Sequence, residues 1–141
     1  MQVDPMVRRR DAAQKTLDVW SKRPLRMGTS DCVRMGASHL RLLGHQVKLP
    51  ASGSYRTVNS AVKALNARGF DSVEAAIDAM GMKRIAPAAA IVADLLMLPG
   101  VDRLGGLAIC LGNGRVVAYH EEVATAAVLQ PLEYVTAWSV L

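Results

Sequence analysis

Residues 27–44 read MGTSDCVRMGASHLRLLG, and this stretch predicts the helix around which the fold is organised. The Thr-Ser-Asp run at 29–31 offers side-chain oxygens that accept hydrogen bonds from the free N–H groups of a first helical turn, so we expect the helix to begin at Cys32. Gly44 is expected to end it. Polar residues recur along one narrow stripe, at Arg34, Ser38, Arg41 and His45. Because mostly apolar residues cover the remaining faces, we expect this helix to be largely buried.

Cys32 lies on the side of this helix opposite the polar stripe, so its sulfur is expected to point into the domain. At a helix N-terminus, unpaired N–H groups and the helix dipole favour a thiolate, which makes Cys32 a candidate nucleophile. The alternative is that Cys32 is buried as a small hydrophobic residue, as free cysteines often are. His39 follows two turns later, ~10 Å away at 1.5 Å per residue, too far for direct proton transfer.

Length and composition indicate one domain, residues 1–141, with 51% hydrophobic residues to build a single core. No window approaches the ~20 apolar residues of a membrane span, and the charges at 8–10 argue against a secretory signal. Cys32 and Cys110 are the only cysteines and lie far apart, so neither a disulfide framework nor a zinc site is indicated. We expect no metal, no cofactor, and folding in a reducing cytoplasm.

The net charge of +5 is unevenly distributed. Residues 1–48 carry ten basic and four acidic side chains, a net +6, whereas the remainder carries −1. Nucleic acid is one acidic partner to consider, but aromatic residues make up only 4% and no nucleic-acid-binding module is present. A solvated or subunit-facing basic surface is therefore the favoured interpretation.

The first part of the chain, about residues 5–81, shows helical periodicity. Asp4-Pro5 is a typical helix start, and residues 5–21 are expected to form an amphipathic helix whose apolar face contains Met6, Ala13, Leu17 and Trp20. Its arginines at 8–10 and Lys15 are expected on wet faces. Two further helices are predicted at 57–67 and about 72–80, each followed by a glycine.

From residue 91 onward, short apolar or alternating runs replace the helical period. They predict strands at about 91–98, 105–111, 114–120, 124–129 and 134–140. Gly112-Asn113-Gly114 predicts a tight hairpin, because Asn-Gly supplies the positive φ angles that such a turn needs. Helices followed by strands indicate an α+β protein, in which N-terminal helices pack on a curled antiparallel sheet or half-barrel at about 91–140.

Three segments together carry a resemblance to a known family: PLRMGTSDC at 24–32, ADLL at 93–96 and LAICLGNG at 107–114. They resemble the NlpC-type branch of the papain-like cysteine peptidases. More narrowly, the chain is similar to a small family of unknown function encoded among bacteriophage and prophage tail genes. Members of that family share a short N-terminal helix, a glycine followed by Asp-Cys, and a C-terminal tryptophan. The likeness covers nearly the whole chain and implies a papain-like fold.

The resemblance also shows what the chain lacks. A papain-like peptidase needs a histidine on the sheet to deprotonate the cysteine, a polar residue to orient that histidine, and an oxyanion donor. The position matching the histidine is Gly106, and His120 is the nearest substitute, although a solvated strand end also explains it. Asp94 matches a structural aspartate, and Ala93 replaces the glycine before it, which suggests a relaxed constraint. The space of the missing histidine is expected to be filled by Met27, Leu107 or Ile109.

The resemblance therefore implies a degenerate peptidase acting as a structural component of a bacteriophage tail tip or baseplate. Its expected partners are other tail-tip and hub proteins, and its expected location is the virion, with host cytoplasm during assembly. The alternative is a peptidoglycan-cleaving cysteine endopeptidase that acts during genome delivery. In that case Cys32 is the nucleophile, and His120 or a neighbouring subunit supplies the base.

Overall fold

A computed structural model describes residues 3–100, 102–120 and 124–141. The helical part contains α1 (Pro5–Trp20), α2 (Cys32–Leu42), α3 (Val58–Ala67) and α4 (Val73–Ala79). All four predicted helices are confirmed to within about two residues at their ends, as expected for capped segments. Each begins after a side-chain cap, from Asp4, Asp31, Thr57 and Ser72 respectively. None of the described helices combines the length and the apolar character that a membrane span requires.

The strands form one antiparallel sheet. They are β1 (Lys83–Ile85), β2 (Leu95–Leu98), β3 (Gly106–Gly112), β4 (Arg115–Ala118), β5 (Ala127–Leu129) and β6 (Thr136–Ser139), with a 3₁₀ turn at Pro87–Ala89. Their order is β1-β6-β2-β3-β4-β5, so β1 and β5 are the edges of a sheet that does not close. The α+β class and the antiparallel sheet are confirmed.

The sequence did not predict β1. Its three residues, Lys-Arg-Ile, are exposed or half-buried and show no alternation, but Ile85 pairs with Ala137 of β6. The strand predicted from residue 91 begins only at Leu95, because Val92 and Ala93 form a turn, which the Asp94 backbone N–H closes by donating to the Ile91 carbonyl at 3.0 Å. The predicted hairpin is confirmed, with φ angles of 55° at Asn113 and 73° at Gly114.

The two faces of the sheet carry separate apolar clusters. Leu95, Met97, Leu107, Ile109 and Trp138 belong to the main cluster, on the face covered by the helices. The opposite face carries a smaller cluster of Leu96, Ala108, Cys110, Val116, Ala118 and Ala137. Gly36 lets α2 approach β3 closely, since a Cβ at this position would lie 2.6 Å from Leu107 Cδ2.

The orientation of α1 differs from the prediction. Met6 is 51% exposed, whereas Arg9 is 5% exposed and lies on the buried face with Ala12, Ala13, Thr16 and Trp20. Arg9 pairs with Asp94, and Arg8 donates to the Leu43 carbonyl at the end of α2. The expectation of a solvent-exposed surface is therefore wrong for Arg9, whose partner Asp94 lies far away in sequence. Arg8 is exposed as expected, although its guanidinium also donates to α2.

Candidate functional site

The N-terminus of α2 is held by Asp31. Its Oδ1 accepts from the Arg34 backbone N–H at 2.9 Å, which caps the helix as the sequence predicts. Its Oδ2 accepts from the Gly28 backbone N–H at 2.8 Å and from the Tyr55 hydroxyl at 3.0 Å. Gly28 has a φ of 92°, and a Cβ there would overlap the Tyr55 carbonyl oxygen. Asp31 thus acts as a structural cap with both oxygens occupied.

Cys32 is the first residue of α2 and is half-buried. The pKa of its thiol is raised to about 11, mainly by burial, and the carboxylates of Asp31 and Asp102 contribute in the same direction. A hydrogen bond from the Leu107 backbone acts in the opposite direction but is outweighed. The helix terminus was expected to favour a thiolate, yet desolvation dominates here. At neutral pH the thiol is protonated, which is the opposite of what a nucleophilic cysteine requires.

On β3, the strand facing Cys32, the position that matches the peptidase histidine is Gly106, which has no side chain. Gly106 pairs with Leu98, and a Cβ on it would lie 3.4 Å from Leu98 Cβ. Leu98 packs against the cluster on the sheet face away from the helices, whereas Leu107 points toward Gly36 of α2. Because side chains alternate along a strand, a side chain at position 106 would point away from Cys32.

His39 and His45 have hydrogen bonds that join distant parts of the chain. His39 is fully buried, and burial lowers its pKa, so its imidazole is neutral. Its Nε2–H then donates to the Ala93 carbonyl at 2.8 Å, while Nδ1 accepts from the Thr16 hydroxyl at 2.9 Å. His45 Nε2–H donates to the Val140 carbonyl at 2.6 Å. His120, the candidate base, is exposed and lies two residues beyond the end of β4.

Tyr119, which the sequence reasoning did not single out, lies near Cys32. Burial raises its pKa to about 12, and the charges of Asp31 and Cys32 contribute in the same direction. Its hydroxyl donates to the Arg23 carbonyl at 3.1 Å. The apolar alternation of the predicted strand at 114–120 was the available signal, since it places Tyr119 on the same face as Val117. A protonated phenol next to a protonated thiol provides no base.

Asp94 lies on the other side of α2 and joins three parts of the chain. Its Oδ1 accepts from Arg9 Nη1 at 2.6 Å and from the Val140 backbone N–H at 3.1 Å. Its Oδ2 accepts from the Ile91 backbone N–H at 2.9 Å. Ala93 keeps a φ of 77°, the left-handed conformation that favours glycine. The sequence suggested that alanine in place of glycine relaxes the backbone constraint at this position. The positive φ is retained, although the residue is alanine.

A pocket of about 280 Å³ opens beside Cys32. Its walls come from α2, α3, α4 and the loop at 46–50, and Leu104 and Leu107 contribute from the sheet side. Of the three residues predicted to fill the space of the missing histidine, Met27 and Leu107 line this pocket and Ile109 does not. Among the described residues, no group of three or more His, Cys, Asp or Glu side chains is arranged to hold a metal ion.

Cys110 is the second free cysteine and is unrelated to this pocket. It lies on β3 with its side chain in the cluster on the sheet face away from the helices. Burial raises the pKa of its thiol as well. We interpret Cys110 as a packing residue.

One family model, described as a domain of unknown function (DUF6950), matches residues 6–140. Among curated proteins, none matches the chain. The match spans α1 to β6, so the cysteine-bearing helix, the pocket and the Asp94 turn all belong to the matched region.

Proposed function

The chain belongs to the DUF6950 family, whose function is unknown, and we propose that it is a non-catalytic structural component of a bacteriophage tail tip. The observation that supports the absence of catalysis is that the Cys32 thiol is protonated at neutral pH. Its thiol has a pKa raised to about 11, and it is hydrogen-bonded to the backbone of Leu107 on β3. The assignment to a tail tip depends on the sequence resemblance to a family encoded among phage tail genes.

A degenerate papain-like fold is the finer part of this proposal. Three observed features support it: a cysteine at the start of a helix that packs on an antiparallel sheet, the Asp94 turn before β2, and the Asn113-Gly114 hairpin after β3. No base is found at this place on β3, since Gly106 has no side chain and the neighbouring residue directed toward α2 is Leu107.

A structural role in an assembly requires contact surfaces for tail-tip and hub proteins. Val128 on the edge strand β5 is 48% exposed, and Leu132 and Val135, which precede β6, are 97% and 55% exposed. Since β2, β3 and β4 separate β6 from β5, these residues are offered as separate apolar contact points for such partners. The proposed location is the virion, with the host cytoplasm as the place of assembly.

The test compares Cys32→Ala with deletion of the whole protein in the phage or prophage that encodes it. Deletion is expected to abolish infectious tails, and Cys32→Ala is expected to leave infectivity unchanged. Cys110→Ala is the matched control for loss of a thiol. Loss of infectivity in Cys32→Ala alone, with tails still assembled, contradicts a structural role and supports catalysis.

The peptidoglycan-cleaving endopeptidase remains the second proposal, and one observation favours it: Cys32 lines an open pocket at the start of α2. Iodoacetamide labelling discriminates the two. A nucleophilic thiolate labels well below the ordinary cysteine pKa of about 8.5, whereas a thiol with a raised pKa is silent at neutral pH. Rapid labelling of Cys32 at pH 7 that slows in His120→Ala would favour the peptidase.

A further inference from the structure

The pocket beside Cys32 is an apolar cavity with cations at its mouth. Small residues create the hollow, since α2, α3 and α4 present six glycines or alanines to it: Gly36, Ala37, Ala61, Ala64, Ala76 and Ala79. Larger aliphatic side chains such as Leu40, Leu65 and Ile77 complete the walls. Its volume of about 280 Å³ lies near the lower end of the usual range for ligand pockets, about 300–1,000 Å³.

Three arginines fix the loop that forms the outer wall. Arg34 Nη2 donates to the Pro50 carbonyl at 2.6 Å, and Arg41 Nη2 donates to the Val47 carbonyl at 2.6 Å. Arg68 Nη1, at the end of α3, donates to the Lys48 carbonyl at 2.8 Å. Because these bonds join the loop to both α2 and α3, the wall is a built part of the domain.

The polar groups of the pocket differ between its two ends. At the inner end Asp31 has both carboxylate oxygens occupied by donors, and Cys32 is a protonated thiol. At the outer end Lys48 and Arg68 line the pocket and are exposed. Neither of these two cations belongs to the ion pairs formed among the described residues. The pocket therefore combines an apolar interior with a positive mouth.

We propose that this pocket binds a single aliphatic chain that ends in a carboxylate, as in a medium-chain fatty acid. The chain occupies the apolar interior, and the carboxylate lies at the mouth beside Lys48 and Arg68. One chain fits a cavity of this volume, whereas a two-chain lipid does not. This proposal concerns binding and does not depend on any reaction of Cys32.

The first test is calorimetric titration of the full chain with dodecanoate at low ionic strength and below micelle-forming concentrations. We expect saturable binding at one site that weakens with added salt, because the headgroup contact is exposed. Dodecyltrimethylammonium, with the same tail and the opposite charge, is expected to bind less tightly. Absence of saturable dodecanoate binding, or equal affinity for both amphiphiles, would overturn the proposal.

Two pairs of variants locate the site. Ala64→Phe fills the pocket and is expected to abolish binding, whereas Ala67→Phe, on an exposed position of the same helix, is expected to bind like the unaltered protein. Thermal unfolding shows whether each variant is folded. If Ala64→Phe does not fold, Ala76→Leu replaces it, because it reduces the cavity with a smaller side chain. Retained affinity in a folded, filled variant places dodecanoate elsewhere and refutes the site.

The second pair tests the mouth. Lys48→Gln is expected to weaken dodecanoate binding about threefold to fivefold, the range for an exposed charge pair. Lys63→Gln removes an exposed charge from α3 that does not line the pocket and is expected to change nothing. Equal affinities for the two variants would show that the mouth does not hold the carboxylate.

Discussion

The two sides of α2 are filled in opposite ways. On one side, which we call the closed side, Arg9, Thr16, His39 and Asp94 are buried and joined to each other or to backbone groups by hydrogen bonds. On the other, the open side, small residues of α2, α3 and α4 surround the pocket beside Cys32. The buried polar groups are thus concentrated where α1, α2 and the sheet are joined. The difference predicts that substitutions on the closed side cost more stability than substitutions on the open side.

The largest expected effect concerns the closed side. Asp94→Ala removes the partner of a buried Arg9 and leaves the Ile91 and Val140 N–H groups without their acceptor. Loss of one member of a buried pair costs about 3–5 kcal/mol, so we expect the free energy of unfolding to fall by that amount in urea titrations.

Asp11→Ala is the matched control for Asp94→Ala. It breaks an ion pair whose side chains are 69% and 63% exposed, and surface pairs of this kind contribute about 0–1 kcal/mol. If the two variants lose similar stability, the closed side does not hold the fold together and the comparison of the two sides fails.

The next prediction tests packing on both sides with the same substitution type. Ala13→Leu, at a 2% exposed position of α1, is expected to overpack the closed side and destabilise by about 1–3 kcal/mol. Ala76→Leu, which enters the pocket, is expected to stabilise by about 0.5–1 kcal/mol, as cavity-filling changes commonly do.

Thermal unfolding of these two variants measures the difference between the sides. Opposite signs would show that the closed side is fully packed and the open side is not. Destabilisation by both variants would mean that the open side is packed as tightly as the closed side, and would weaken the pocket proposal as well.

The sequence predicted the features that depend on neighbouring residues and missed those that depend on residues far apart in the chain. The four helices and the Asn113-Gly114 hairpin were predictable because their caps and turn residues are local. The buried face of α1 was not predictable, since Arg9 is buried by pairing with Asp94, 85 residues away. β1 was missed for a similar reason: the Lys-Arg-Ile run becomes a strand only by pairing with β6.

The site shows the same limit. The positions of Asp31 and Cys32 at the helix start follow from local sequence, and the structure agrees. The raised pKa of Cys32 does not follow from local sequence, because it is caused mainly by burial, with contributions from the neighbouring Asp31 and from Asp102, which the fold brings close. The pocket arises from the relative placement of α2, α3 and α4, which no local pattern encodes.

A smaller effect is expected from pH, and it comes from His39. Burial lowers its pKa below the ordinary 6.5, so from pH 6.5 down to the folded-state pKa the unfolded chain binds more protons. Stability is complete above pH 6.5 and falls as the pH decreases through that window, by at most about 1.4 kcal/mol per pH unit.

Urea titrations at pH 7.5, 6.5 and 5.5 measure this slope. His39→Gln is expected to lose overall stability but also to lose this part of the pH dependence. If the free energy of unfolding changes with pH equally in the variant and in the unaltered protein, the pH dependence comes from other groups. In that case the neutral His39 imidazole does not contribute to it.

The smallest expected effect is at Ala93, where the closed side contains backbone strain. An L-residue in the left-handed region costs about 1–2 kcal/mol, which Ala93→Gly relieves. The same change loses a buried methyl worth about 0.8 kcal/mol and adds about 0.4–1 kcal/mol of unfolded-state entropy. These contributions nearly cancel, so we expect the free energy of unfolding to change by less than about 1 kcal/mol.

Ala108→Gly, equally buried on β3 but without positive φ, has no strain to relieve and is expected to lose about 1–2 kcal/mol. Equal losses in urea titrations of the two variants would show that Ala93 carries no strain.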